Sequence, residues 1–266
     1  MDKQILQELL EQGKTNREIG EALGYSKSNV GYWIKKQGLA HKQKKKKPIY
    51  HDKDYFKKID NPAKAYILGF ILGDGCLTED LFIVSIALSD KEILDFISSE
   101  TGCNVNVSKK CIPKQRIFPN SSIHIGEKKM LKHLKTLFGG NLKEDRRIPI
   151  ISKKYERYLL QGFFDAEGCV TWGRRKDRNR LWHKISFTSS LSLLVGIQNI
   201  LLSNEISTKL KPKSDNSNCY VIEFANKKDI KKFLDIIYPN DDFIILKRKY
   251  EKAKTLRLEL GEFGET

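Results

Sequence analysis

The 266-residue sequence predicts an α+β chain built from two copies of one unit behind a small all-helical module. Three observations predict it. A nine-residue segment occurs twice, as Ile67–Gly75 and Leu160–Gly168. The succession of strand-like and helix-like stretches after the first copy recurs after the second, and repetition of that kind dictates architecture. Residues 1–39 carry only helical periodicity, and a lysine-rich stretch divides them from the rest.

Within the module, Ile5, Leu6, Leu9 and Leu10 give an amphipathic helix that Gly13 ends. Thr15 and Glu18 form a capping box for a second helix from Asn16 to Leu23. Gly24-Tyr25 makes a turn, and Ser26 caps a third helix from Lys27 to about Gln37, with Val30, Trp33 and Ile34 facing inward. Helix, short glycine turn, helix is the helix-turn-helix pattern, and it resembles bacterial and phage DNA-binding modules. That resemblance places Lys27, Ser28, Asn29, Tyr32 and Lys35 against a major groove. A helical cap without a ligand carries the same pattern. Residues 40–59 read as a linker whose first part is basic; Lys44 and Lys45 can contact phosphate or serve a solvated tether.

The repeated segment is mostly apolar, so as a helix it is buried nearly all round. Small residues recur four apart, Gly69 and Gly73 in one copy, Gly162 and Ala166 in the other, and so share a helix face. Such a face lets another helix approach closely, and the other copy is the natural partner about a pseudo-two-fold axis. Asp74 and Glu167 then end their helices, with Gly75 and Gly168 suited to a left-handed stop. A carboxylate at a helix C-terminus opposes the macrodipole at about 0.3–1 kcal/mol, and pairing two like charges adds to that cost. A divalent cation relieves both. Carboxylate oxygens completed by water and phosphate describe a magnesium site, which Mn²⁺ or Ca²⁺ could also occupy. The candidate metal positions are Asp74 with Gly73 and Glu167 with Ala166.

These residues resemble the LAGLIDADG homing endonuclease motif, present twice as in the single-chain members of that family. The third motif position is Gly69 and Gly162, the eighth is Asp74 and Glu167, and the ninth is Gly75 and Gly168. The eighth supplies the metal-binding acid in that family. The sixth is Asp165 in the second copy but Leu72 in the first; it is not the metal ligand, so the departure leaves activity intact. The resemblance implies an αββαββα order in each half, residues 60–145 and 146–240; beyond it, 241–266 mixes charges at helical spacing and reads as a C-terminal surface segment. It implies antiparallel sheets forming a saddle over the major groove of double-stranded DNA. The implied activity is site-specific hydrolysis of one phosphodiester in each strand, leaving short 3′ overhangs. A basic residue near each scissile phosphate is also implied; Lys128 or Lys129 and Lys227 or Lys228 are the candidates, each equally readable as a first-turn surface lysine.

Charge supports a polyanionic partner: 49 basic residues against 33 acidic ones give a formal net charge of +16. Lys109, Lys110, Lys114 and Arg116 fall where strands of the first half face DNA. Arg174, Arg175, Lys176, Arg178 and Arg180 do so in the hairpin after the second motif, and Lys209, Lys211 and Lys213 further on. Part of this set is a solvated face. The hairpin after the first motif is short and acidic (Glu79, Asp80), which predicts an asymmetric target. The longest apolar run, Ala65–Gly73, is far too short to span a bilayer, and no signal-peptide pattern opens the chain. Five cysteines without a C-x-x-C pair fit a reducing compartment, the cytoplasm of a bacterial or phage-infected cell or an organelle, and no histidine cluster suggests zinc. The expected state is a monomer. Two other readings use the same scaffold: a transcription regulator working through the helix-turn-helix, and an RNA maturase assisting intron splicing. Presence of both Asp74 and Glu167 favours the enzyme.

Overall fold

The computed structural model describes residues 1–39, 52–78, 82–87, 90–110, 118–140, 144–174, 181–214, 218–239, 243 and 245–262. The chain forms two compact units, residues 1–48 and 49–266.

The first unit holds α1 (Lys3–Glu11), α2 (Asn16–Leu23) and α3 (Lys27–Lys36). Each start has a side-chain cap. Asp2 accepts from the Gln4 and Ile5 amides, Thr15 and Glu18 satisfy one another's backbone amides, and Ser26 accepts from Asn29. Gly24, at φ +72°, ends α2 in the left-handed conformation. Leu6, Leu10, Ile19, Val30 and Ile34 form the core of this unit.

The second unit opens with α4 (Pro62–Asp74), β1 (Gly75–Leu77), β2 (Phe82–Ala87), α5 (Lys91–Thr101), β3 (Val105–Lys110), β4 (Phe118–Ile125) and α6 (Lys128–Phe138). The order then repeats with α7 (Lys153–Glu167), β5 (Gly168–Arg174), β6 (Leu181–Ser189), α8 (Leu191–Ser203), β7 (Lys209–Pro212), β8 (Tyr220–Phe224) and α9 (Lys227–Ile237), and α10 (Lys247–Glu262) closes it. Both sheets are four-stranded and antiparallel, ordered β1-β2-β4-β3 and β5-β6-β8-β7.

Alternation separates two faces in the second sheet. Val170, Ile185, Phe187, Ile222 and Phe224 are buried beneath the helices. On the other side the register aligns Cys169, Ser186, Glu223 and Lys209 in one row, and Thr188, Val221 and Lys211 in another. That open face carries the polar side chains.

The sequence expectation made the C-terminal segment a surface element. It is instead half core: Leu246, Tyr250, Ala253, Leu256 and Leu260 are buried at helical spacing. Its start reaches the first half, where Arg248 donates two hydrogen bonds to Asp90 at 3.1 and 2.8 Å.

Candidate functional site

The site is built on the crossing of α4 and α7. A Cβ on Gly69 would overlap the Leu159 carbonyl oxygen and lie 3.0 Å from the Phe163 amide nitrogen. A Cβ on Gly162 would overlap the Tyr66 carbonyl oxygen and lie 2.9 Å from the Phe70 amide nitrogen. The two helices therefore touch backbone to backbone at symmetric positions. One turn on, a Cβ on Gly73 would stand 2.5 Å from the Ala166 Cβ and 2.8 Å from the Glu167 Cγ. Glu167 thus lies against the residue that precedes Asp74, so the two acids leave adjoining helix ends. Asp74 is exposed and Glu167 half-buried.

Gly75 and Gly168 correct the expectation of left-handed stops. Both are extended, at φ −80° and −79°, and begin β1 and β5 without a turn. Their need for glycine is space: a Cβ on Gly75 would overlap the Phe82 ring and the Ile71 carbonyl, and one on Gly168 the Phe164 ring.

Two buried cations that the sequence reading did not single out sit behind these ends. Arg146, 1% exposed, donates from Nη1 to the Gly75 carbonyl at 2.7 Å and lies over the Phe138 ring. Lys249, 9% exposed, donates from Nζ to the carbonyls of Phe164 and Gly168 at 2.6 and 2.7 Å and lies over the Phe164 ring. A cation from the chain that follows each half thus reaches the carbonyl of the glycine after that half's acid. These cations satisfy carbonyls at the motif ends and offset the negative helix C-termini. Burial holds the Lys249 ammonium down to about 8, opposed by the fields of Asp165 and Asp74. The protein therefore supplies part of the compensation that the sequence expectation assigned to a divalent cation. No sequence periodicity announces Arg146; Lys249 could have been suspected as a charge beside the buried stripe of α10.

Asp165 is buried and accepts from the Tyr66 hydroxyl at 2.6 Å and the Tyr238 hydroxyl at 3.3 Å. It therefore ties the two motif helices to α9's end rather than facing the acids' surface. Burial pushes its carboxyl up from 3.8 to about 7, against the lowering influence of both tyrosines and of Lys249 and Arg248. A raised pKa means that the folded state holds the proton between these values while the unfolded state loses it. The contribution to stability is full below pH 3.8 and is lost as pH rises through about 7, at most about 4 kcal/mol across the window. Asp165→Asn is expected to gain stability relative to the parent as pH rises through that range, read by urea unfolding at pH 5, 6, 7 and 8. A difference independent of pH contradicts the assignment.

The residue set fits a hard divalent ion in part. Two carboxylates on adjoining helix ends supply hard oxygens. Among the described residues no three His, Cys, Asp or Glu side chains converge to hold a metal, so the remainder of any shell must come from water, backbone or phosphate.

Lys27, Ser28, Asn29, Tyr32 and Lys35 are all exposed on α3. Lys128 opens α6, and Lys227 and Lys228 open α9, all exposed. Lys129 pairs with Asp54 at 3.6 Å, and Lys227 helps to hold the His183 imidazole down, behind burial as the larger cause. Lys209, Lys211 and Lys213 are exposed at β7 and just beyond. Lys211 and Lys184 both bind Glu223, at 2.6 and 3.3 Å, so the open face of the second sheet carries a fixed anion between two cations. Arg174 lies 3.9 Å from Glu259. Lys109 and Lys110 close β3, with side chains outside the description. Lys44, Lys45, Lys114, Arg116, Arg175, Lys176, Arg178 and Arg180, and the Glu79-Asp80 hairpin, lie outside the described residues. No helix is long and apolar enough to cross a membrane, among the described residues.

A family model described as a LAGLIDADG-like domain matches residues 154–238, the second half of the repeat. No curated protein matches the chain by sequence. Among solved structures, the LAGLIDADG homing endonuclease I-GzeII in complex with its DNA target superposes at a TM-score of 0.57 with 11% identity, over 78% of this chain and 94% of that one. The meganuclease I-AabMI bound to uncleaved DNA gives 0.52 with 17% identity, over 76% and 92%. I-SmaMI bound to an uncleaved DNA target in the presence of calcium ions gives 0.52 with 12% identity, over 77% and 92%. The fold is that of the LAGLIDADG homing endonucleases.

Proposed function

We propose that the protein is a site-specific double-strand DNA endonuclease that hydrolyses one phosphodiester per strand at an asymmetric target, using Asp74 and Glu167 with a divalent metal such as Mg²⁺. The observation that supports the reading is the close approach of Gly73 to Ala166 and Glu167, on which Asp74 and Glu167 leave adjoining helix ends where the helices run into their sheets. A divalent ion bound there supplies Lewis-acid stabilisation of the phosphate and a more acidic water. The chain's own groups do the rest. The carboxylates hold negative charge at a fixed place, Arg146 and Lys249 keep the helix ends from unravelling under that charge, and the open sheet face presents Lys184, Lys209 and Lys211 to a backbone of phosphates. The similarity to nucleases solved with DNA targets supports the same partner here. Adjoining acids favour cuts a few base pairs apart, consistent with short 3′ overhangs.

The test is a plasmid carrying the genomic region that flanks the gene, incubated with Mg²⁺ and separately with EDTA. Linear product that requires the metal is the expected result. Tight binding without cutting in any metal would overturn the nuclease and leave the regulator.

In this reading the first unit adds affinity through α3. Its exposed helix carries Lys27, Lys35 and Lys36 and no acid, the polarity a groove-facing helix needs. Lys27→Gln and Lys35→Gln are each expected to lower the slope of log affinity against log salt by about one, whereas Asn29→Ala should relax preference at one base pair by about 1–3 kcal/mol. Binding isotherms at several salt concentrations check this; unchanged slopes would assign α3 no DNA contact.

A further inference from the structure

Trp182 is a large apolar side chain on a polar surface. The register of β5 and β6 opposes Gly173 to Trp182, Thr171 to Lys184 and Cys169 to Ser186. These pairs share the open face, because the alternate residues Val170, Ile185 and Phe187 are buried on the other. Trp182 is 41% exposed. Among the residues whose side chains are described, no other large hydrophobic on a strand is exposed.

The ring has a seat. A Cβ on Gly173 would stand 3.0 Å from the indole Nε1, 3.2 Å from Cε2 and 3.3 Å from Cζ2. The indole therefore leans over β5 and rests against the place that a Gly173 side chain would fill. Glycine weakens a strand interior and marks a point where another group approaches closely; here that group is the Trp182 ring. Lys184, next along the same face, leans the other way, toward β8, where Glu223 holds its ammonium at 3.3 Å. The two side chains part, and the ring stays open to the surface.

This open face is the one that the nuclease reading turns toward DNA, and the inference rests on that reading for the orientation. A surface in the major groove of an intact duplex meets base edges, not base faces. Lysine and glutamate can pair there with phosphates, carbonyls and amines, whereas the face of an indole pairs with none of them. The apolar group that the groove presents is the C5-methyl of thymine. Tryptophan suits such a contact, because it offers a large rigid area at small entropic cost. We propose that Trp182, seated on Gly173, is a specificity-determining residue that recognises the methyl group of one thymine in the second half-site.

The experiment is selection of bound duplexes from a randomised pool by the full-length protein in EDTA, followed by replacement of each selected thymine with deoxyuridine. Uracil pairs as thymine does and lacks only the methyl. The parent is expected to lose about fourfold in affinity at one position, the transfer value of one buried methyl-sized group. Trp182→Ala should bind the thymine duplex more weakly and become indifferent to the replacement at that position. Trp182→Phe should keep part of the sensitivity. Gly173→Val retains the indole but fills its seat, in a residue that suits a strand, and should also blunt the response. A tryptophan with a structural role alone would lower affinity for both duplexes alike when replaced. Parent indifference to every deoxyuridine, full methyl sensitivity in Trp182→Ala or Gly173→Val, or failure to select any duplex would each overturn the proposal. Thermal melts establish that the variants fold, and Gly173→Val carries the test if Trp182→Ala does not fold. The two readings part cleanly. Cutting of a target plasmid by a protein indifferent to deoxyuridine removes the methyl contact and keeps the nuclease. Trp182-dependent methyl sensitivity in a protein that leaves every plasmid intact removes the nuclease and keeps the contact.

Discussion

Asp74→Asn is expected to lose double-strand cutting by about a hundredfold or more while binding DNA as tightly as the parent or tighter. Asparagine is nearly isosteric, and Asp74 is exposed at the end of α4, so the backbone contact between the motif helices survives the change. What disappears is a charge. Cutting requires that charge, because a neutral amide oxygen is a poor ligand for a hard divalent ion, and transition-state stabilisation worth a few kcal/mol converts to about two or more powers of ten in rate. Binding does not require it. Without bound metal, a carboxylate at the surface repels phosphate, so its removal lowers an opposing field, most visibly at low salt. Glu167→Gln should behave in the same way. The measurements are linear product from a target plasmid and a gel-shift isotherm on the same preparation. Parent-like cutting would remove Asp74 from the chemistry. Loss of binding together with cutting would make it a structural residue.

The parts of this architecture that were legible in the sequence are those encoded by local repetition. Gly69, Gly73, Gly162 and Ala166 recur at a helical interval, and such an interval can be read without knowing the partner. Strand alternation such as Ile185–Phe187 and Ile222–Phe224 is local too. The groups that complete the site come from far away along the chain. Arg146 reaches Gly75 across 71 residues, and Lys249 reaches Gly168 across 81; each is one basic residue among 49. Burial is what distinguishes them, and burial is a property of the assembled fold. The same reason hid Asp165. Its motif position says helix end, but its fate is set by the hydroxyls of Tyr66 and Tyr238, one on each side of it in sequence. Gly75 and Gly168 misled for a different reason. Glycine after a helix has two uses, a left-handed φ or an absent Cβ, and sequence does not distinguish them; the rings of Phe82 and Phe164 do.

The three glycines of the helix crossing should not be equally tolerant of a methyl group, and the differences follow from what each methyl would meet. At Gly69 and Gly162 the obstacle is a carbonyl oxygen of the partner helix. Backbone cannot rotate aside, so alanine at either position must push α4 and α7 apart and open the core packed around Tyr66, Phe70, Phe163 and Phe164. Overpacking of this kind costs about 1–3 kcal/mol, and more when backbone is the obstacle, against a total stability of about 5–15 kcal/mol. A loss near about 3 kcal/mol lowers the melting temperature by about 6–12 °C in a unit of this size. At Gly73 the nearest atom is instead the Ala166 Cβ, 2.5 Å away. Gly73→Ala alone should therefore destabilise, while Gly73→Ala combined with Ala166→Gly moves one methyl across the interface and should recover much of the loss. The Glu167 Cγ, 2.8 Å from the same point, can shift by rotation of its own side chain. Thermal melts of the single and double variants give the coupling energy directly. A positive rescue at Gly73–Ala166, with Ala166→Gly giving no rescue of Gly69→Ala, is the expected pattern. Equal tolerance at all three glycines would mean that the helices do not touch backbone to backbone, and Asp74 and Glu167 would then have no reason to lie side by side.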